Sequence, residues 1–287
     1  MSCSEQVAYW NNEGGTRWKA AAERTAEIFV PVTQRVIDAA APSPGERVLD
    51  IGCGTGRTVI ELARRVGAEG RVVGLDVSSL LLSVAREKLA HAGITNAELL
   101  FADASTHNFG DERFELLFSQ FGVMFFGDPT AAFANLRRAL VKDGRIVFAC
   151  WREMQANEWF WVPLEAAKRF APAPPQVPPG APGPLAFADP ARVEQILTDA
   201  GFVDVQIQQH DESLVIGADL AAAASYAASI GPAGRVLADV DPKTKTDATT
   251  AIADAFRAYA TPAGVRLSGS IWLVCARTQG SHSAATL

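Results

Sequence analysis

Between residues 45 and 151 the chain alternates short apolar runs with longer stretches whose apolar residues recur every three or four positions. The short runs are read as strands: Arg47 to Ile51, Arg71 to Asp76, Ala97 to Ala102, Phe114 to Gln120 and Arg145 to Trp151. Between them the helical spacing predicts a helix over Thr58 to Val66, with Val59, Leu62, Ala63 and Val66 on one face. A second helix follows a Ser78 or Ser79 cap, turns Leu82, Ala85 and Leu89 inward and stops at Gly93. Asp128-Pro129 caps a third, whose inner face carries Ala132, Phe133, Leu136 and Leu140. Asp143-Gly144 then turns the chain into the fifth strand. Strands alternating with helices predict an α/β fold: a doubly wound, mostly parallel sheet that binds its ligand at the carboxyl ends of the strands.

After Trp151 the pattern changes. Residues 172 to 184 are rich in proline and glycine and read as a loop. Pro190 to Ala200 reads as a helix, Val203 to Ile216 as a long strand and Leu267 to Thr278 as the last strand. Leu220 to Ala260 is alanine-rich and helical, with breaks near Gly231-Pro232 and Asp241-Pro242. The expected organisation is a helical lid over 1–44, a ligand-binding core over 45–151, and a C-terminal part of the same domain over 152–287. That last part carries two insertions, 152–188 and 218–262, placed to close a pocket above the strand ends.

The most informative stretch is Val48-Leu49-Asp50-Ile51-Gly52-Cys53-Gly54-Thr55-Gly56, where a strand runs into a helix. Glycines there let a ligand approach the backbone, and the N–H groups and dipole of a helix start favour an anionic group such as a phosphate or a carboxylate. Spacing separates the options. A dinucleotide fingerprint is GxGxxG, and its third glycine would fall at Arg57. The pattern here is DxGxGxG. Asp76, at the end of the second strand, stands about where a carboxylate reaches both hydroxyls of a ribose in such folds. Its plainer reading is a helix cap, a task that Ser78 and Ser79 can take over.

Composition narrows the class. The net charge of -6 disfavours nucleic acid as a partner. Cys3, Cys53, Cys150 and Cys275 form no CxxC pair, which fits reduced thiols and a cytoplasmic setting. No uninterrupted apolar run approaches the roughly 18 residues of a membrane-spanning helix, and the N-terminus has no signal-peptide pattern. Ser281 to Leu287 read as a tail. No metal is expected.

On the glycine loop, the acid after the second strand and their spacing, the chain resembles the class I S-adenosylmethionine-dependent methyltransferases. It looks most like the ubiquinone/menaquinone-biosynthesis type and related small-molecule enzymes. The resemblance is close over residues 45 to 151 and loose to the last strand. It implies a Rossmann-like seven-stranded sheet with the last strand antiparallel, and S-adenosyl-L-methionine as cofactor, leaving S-adenosyl-L-homocysteine. It also implies cofactor contacts from Asp50, Gly52, Cys53 and Gly54, ribose binding by Asp76, and adenine packing on Val77. Phe101-Ala102-Asp103-Ala104 matches the segment that meets the adenine edge through Asp103 and the Ala104 N–H. Ser119-Gln120-Phe121 matches the segment whose backbone meets the cofactor's amino group. Lys142-Asp143-Gly144 stands where the family usually has Pro-Gly-Gly, a change of turn only.

The methyl acceptor is expected to be a small hydrophobic or aromatic molecule. Its pocket is expected to draw on Trp10, Trp18, Gln120, Phe121, Met124, Trp151, Trp159 and Tyr226. The aromatic stretch from Tyr9 to Trp18 resembles a lid, and its rings could face a sulfonium. No base declares itself; His107 is the weak candidate, being the one histidine near the expected pocket. Two alternatives stay open: a protein that binds the cofactor without transferring a methyl group, and, against the spacing, a nicotinamide-dependent oxidoreductase. The Asp/Asn-Pro-Pro-aromatic signature of amino-type nucleic-acid methyltransferases is missing after the fourth strand. The oligomeric state is not encoded legibly, a dimer being one option.

Overall fold

The computed structural model describes residues 3–171 and 178–279. The tail from Ser281 to Leu287, and residues 172–177 of the expected proline-rich loop, lie outside the described residues. Three helices come first: α1 (Cys3–Asn11), α2 (Glu13–Ile28) and α3 (Val30–Ala40). The alternating region follows as β1 (Arg47–Ile51), α4 (Arg57–Val66), β2 (Arg71–Asp76), α5 (Ser79–His91), β3 (Ala97–Phe101), β4 (Phe114–Gln120), α6 (Pro129–Arg138) and β5 (Leu140–Trp151). The chain continues through α7 (Glu158–Ala167), α8 (Pro190–Asp199), β6 (Phe202–Gly217), α9 (Leu220–Ala227), α10 (Gly231–Val236) and α11 (Pro242–Ala255). It ends with β7 (Ala260–Thr261) and β8 (Gly264–Thr278).

The sheet runs β3-β2-β1-β4-β5-β8-β6, and the two-residue β7 pairs with β8 at its margin. Strands β1 to β5 are parallel to one another, and β8 is antiparallel to both β5 and β6. The seven-stranded α/β expectation with an antiparallel last strand therefore holds, and β7 is a short addition to it. β1 is buried after its first residue because helices cover both faces of the sheet. On one of them α4 buries Thr58, Val59, Leu62, Ala63 and Val66. Beside β5, Phe133 of α6 stacks with Phe148 and Phe187 at 5.6 and 6.1 Å. Each such fully buried ring contributes about 1.5–3 kcal/mol.

The order of the strands fixes where a ligand fits. From β1 the chain moves outward through β2 to β3, then returns to β4 on the other side of β1. That reversal opens a crevice at the carboxyl ends of β1 and β4. A second feature roofs it. β8 leaves β5 at the Trp151–Ile271 pair but continues beside β6 to the Gly217–Val265 pair. This ribbon projects past the sheet, and α9, α10 and α11 are inserted at its end, packed with α7.

Two details go beyond the expectation. Trp159, Phe160 and Trp161, in the stretch after the fifth strand to which no element was assigned, lie in helix α7 despite Pro163 inside it. Buried Asn157 fixes the start of that helix: its Nδ2 donates to Arg152 O and Glu153 O, while its Oδ1 accepts from Ser270 N. β5 begins earlier than Arg145, because Leu140 already pairs with Phe114 before the chain turns through Asp143 at φ 62°. No helix among the described residues is long and apolar enough to cross a membrane.

Candidate functional site

The crevice opens into a cavity of about 650 Å³. Its floor is the glycine loop. Gly52 has φ 72°, and a Cβ there would lie 2.7 Å from the Cα of Gly122, so β1 and the turn after β4 meet backbone to backbone. The Ser119 hydroxyl closes the same junction, donating to Ile51 O at 2.7 Å and accepting from Gly122 N at 3.1 Å. Phe121 follows in the left-handed region at φ 67°, a conformation that costs a non-glycine residue on the order of 1–3 kcal/mol. Its ring stacks on Trp151 at 3.9 Å.

The N–H groups of the loop are largely answered from within. Gly52 and Cys53 both donate to Leu75 O, at 2.8 and 3.1 Å. Gly54 donates to Asp76 Oδ2 at 2.8 Å, and Ser78 N donates to Asp76 Oδ1 at 2.8 Å. Ser78, not Asp76, caps α5. An incoming phosphate would have to displace a buried carboxylate. Asp76 lines the cavity and is 8% exposed; burial raises its carboxyl above the usual range, against the hydrogen bonds that lower it. Asp50 lies beneath the loop, where Thr58 donates to its Oδ2 and its buried Oδ1 has no partner. Burial pushes Asp50 up to about 7, the Thr58 bond opposing and the charge of Asp76 adding to the rise. Among the described residues neither acid is in an ion pair. The pair favours a ligand that brings hydroxyl donors or a positive charge.

This burial has a pH signature. In the folded chain Asp50 holds its proton up to about pH 7, whereas unfolded it releases it near pH 3.8. Its stabilising contribution is full at low pH and is lost as pH rises through 7. Between about pH 8 and about pH 5 the ligand-free protein should gain roughly 2–3 kcal/mol relative to Asp50→Asn. Urea midpoints of both proteins across that range check this, and parallel curves would contradict it.

The walls are aromatic and apolar. Phe29 packs on Phe121, Trp151 and Trp159 at 5.7, 5.5 and 5.3 Å, and Trp159 lies 4.1 Å from Phe160. From the N-terminus, Trp10 meets Phe125 at 5.3 Å and Trp18 at 6.2 Å. Gly15 allows α1 to fold back on α2, since a Cβ there would fall 1.9 Å from Trp10 O. Asn11 then fastens α1 to the end of β2: its Nδ2 donates to Val77 O at 2.6 Å, and its Oδ1 accepts from Ser79 N and Oγ, both at 2.9 Å.

Of the expected residues, Gly52, Cys53, Gly54, Asp76, Val77, Asp103, Ala104, Trp10, Trp18, Gln120, Phe121, Met124, Trp151 and Trp159 all line this one cavity. Four do not. Asp50 sits behind the loop. Ser119 is fully buried, holding the β1–β4 junction. The hydroxyl of buried Tyr226 pairs with Thr25 Oγ at 3.0 Å and ties α9 to α2. His107 follows the Asp103 turn and packs edge-on against Phe109, outside the lining. The sequence reading missed Phe29 and Asn11. Phe29 carried only a hydrophobic signal shared with core residues, and Asn11 carried none.

Comparisons with known proteins agree with this geometry. Residues 48–144 match a methyltransferase domain family. The chain is 37% identical to aklanonic acid methyltransferase of a Streptomyces species over 122 residues, 42% of this chain and 56% of that protein. It is 31% identical to nocamycin O-methyltransferase of Saccharothrix syringae over 196 residues, 66% of this chain and 70% of that one. The match thus spans little more than half of the first relative and over two thirds of the second. Among solved structures, a methyltransferase-like protein of Bacillus halodurans superposes with a TM-score of 0.57 at 18% identity, over 86% of this chain and 98% of that one.

Proposed function

The chain belongs to the S-adenosylmethionine-dependent methyltransferases, and from that premise we propose that it transfers a methyl group to a small, largely apolar acceptor held under its helical roof. The observation that carries this reading is the pairing of two unlike ends in one cavity. One end holds the glycine loop and Asp76, with Asp50 buried behind the loop; the other is walled by Phe29, Phe121, Trp151 and Trp159.

The residues present fit the cofactor. A Cβ at Gly54 would meet no atom within 4 Å, so the loop faces open space there, and the unpartnered Asp50 Oδ1 lies beneath it. Asp76 retains acceptor capacity for a ribose diol beside its two backbone bonds. Val77, Asp103 and Ala104 line the stretch assigned to adenine. Bound there, S-adenosylmethionine supplies a methyl group on a sulfonium. The rings of Trp10 and Trp18 cover the cavity from the N-terminal side, where an aromatic face attracts a cation. The aromatic walls exclude water and orient the acceptor. For an in-line displacement such positioning supplies several kcal/mol of barrier reduction. We assign residues 1–44 as lid, 45–151 as cofactor core and 152–287 as the part that shapes the acceptor pocket.

The test is a transfer assay with S-adenosylmethionine and a panel of hydroxylated and carboxylated polycyclic aromatics, reading S-adenosylhomocysteine release. Release that depends on an aromatic acceptor, with none on nucleic acid, is expected. Binding of the cofactor with no release on any acceptor would leave a protein that binds without transferring.

A further inference from the structure

The roof of the cavity carries a permanent charge among apolar groups. In α10, Pro232, Arg235 and Val236, spaced i, i+3 and i+4, form the face that lines the cavity. Ala233 and Leu237 are buried, and α10 packs on α7. The guanidinium carbon of Arg235 lies 6.0 Å from the centroid of the Tyr9 ring in α1. Tyr9 lines the same cavity, and its ring rests on Gly14 of α2, where a Cβ would fall 2.3 Å from it. The charge therefore stands where roof meets lid. The Arg235 side chain is exposed and, among the described residues, makes no hydrogen bond or ion pair. The other arginines of the lining are placed differently. Arg57 opens α4 directly after the glycine loop, and Arg17 donates to Glu13 O at 3.4 Å and lies 3.8 Å from its carboxylate. The acids of the lining, Asp76 and Asp103, follow β2 and β3 on the side assigned to the nucleoside.

We propose that Arg235 anchors an anionic group on the acceptor: an apolar, ring-built molecule whose carboxylate is received at the seam of roof and lid. This rests on the proposed methyl transfer and adds the acceptor's charge to it. A guanidinium has five N–H donors, no acceptor and no neutral form in a protein. The Tyr9 ring attracts it from one side. That contact leaves the N–H fork open to a pair of oxygens, which a carboxylate meets with two short, charge-assisted hydrogen bonds. One guanidinium balances the single charge of a carboxylate, whereas a phosphate monoester carries nearly two. A neutral body closing against Arg235 would strip water from the charge and put nothing in its place. A carboxylate replaces that water, and the aromatic walls take the rest of the molecule.

Two probes of the same shape test this. With the protein saturated in S-adenosylhomocysteine, calorimetric titration compares anthracene-2-carboxylate with anthracene-2-carboxamide. The wild type should bind the acid about tenfold more tightly than the amide. Arg235→Gln should cut that advantage below about twofold, while its affinity for the amide and for S-adenosylhomocysteine stays within about twofold of wild type. No preference in the wild type, binding of neither probe, or a preference that survives Arg235→Gln would overturn the assignment while leaving cofactor binding intact. A second titration, with S-adenosylhomocysteine and with 5′-methylthioadenosine, asks whether Arg235 serves the cofactor's own carboxylate instead. Arg235→Gln should leave both affinities unchanged; a loss confined to S-adenosylhomocysteine would overturn the proposal. Failure of the wild type to bind S-adenosylhomocysteine at all would instead remove the underlying methyltransferase reading.

Discussion

Replacing Asp76 with alanine should weaken S-adenosylhomocysteine binding at least tenfold. A charge-assisted hydrogen bond contributes about 1.5–3 kcal/mol, and one carboxylate facing a ribose diol can make two of them. The structure complicates the simplest form of this experiment, because Asp76 also accepts from Gly54 N and Ser78 N. Loss of affinity alone could therefore reflect a loosened loop. A 3′-deoxyribose analogue of the ligand resolves the two effects. Wild type should lose affinity when the hydroxyl is removed, whereas Asp76→Ala should bind both ligands alike. An Asp76→Ala protein that still distinguishes them, or that binds with unchanged affinity, would make Asp76 a loop clip only.

Trp159→Ala should produce the largest loss of stability among the cavity residues, about 3–5 kcal/mol. The side chain is nearly buried and packs on Phe29, Trp151 and Phe160. From the sequence it could be read as pocket wall or as second core. The structure makes these the same thing: the aromatic cluster that roofs the cavity is continuous with the core. The variant should therefore unfold at lower urea concentration and also turn over acceptor more slowly, while its folded fraction binds S-adenosylhomocysteine with wild-type affinity. A stability change below about 1 kcal/mol would place the ring outside the packed cluster.

How much was legible follows from which signals are local. The strand–glycine–helix junction at Val48 to Gly56 is written in consecutive residues, and Asp76 ends a strand whose bounds the apolar run fixes exactly. So was the break at Gly231-Pro232, which starts α10, and that at Asp241-Pro242, which starts α11. Helix α7 was harder, since Pro163 argues against a helix and its start is held by Asn157 reaching Ser270, 113 residues away. The misplacements were of the same kind. Tyr226 is aromatic and near the roof, but its direction is set by Thr25, 201 residues distant. Ser119 was expected for its backbone alone, and its hydroxyl, bonded to Ile51 across the sheet, could not be placed from its neighbours in sequence. Local spacing identifies the loop and the acids. Which way a side chain faces in an insertion depends on partners far along the chain.

The central claim is that this crevice takes an adenosyl sulfur compound and not a dinucleotide. The most direct measurement is isothermal titration of the ligand-free protein with S-adenosylhomocysteine and, separately, with NADH. Saturable one-site binding of the first with a dissociation constant in the micromolar range (about −8 kcal/mol) and no detectable heat from the second are expected. Saturable NADH binding, or no binding of S-adenosylhomocysteine, would contradict it.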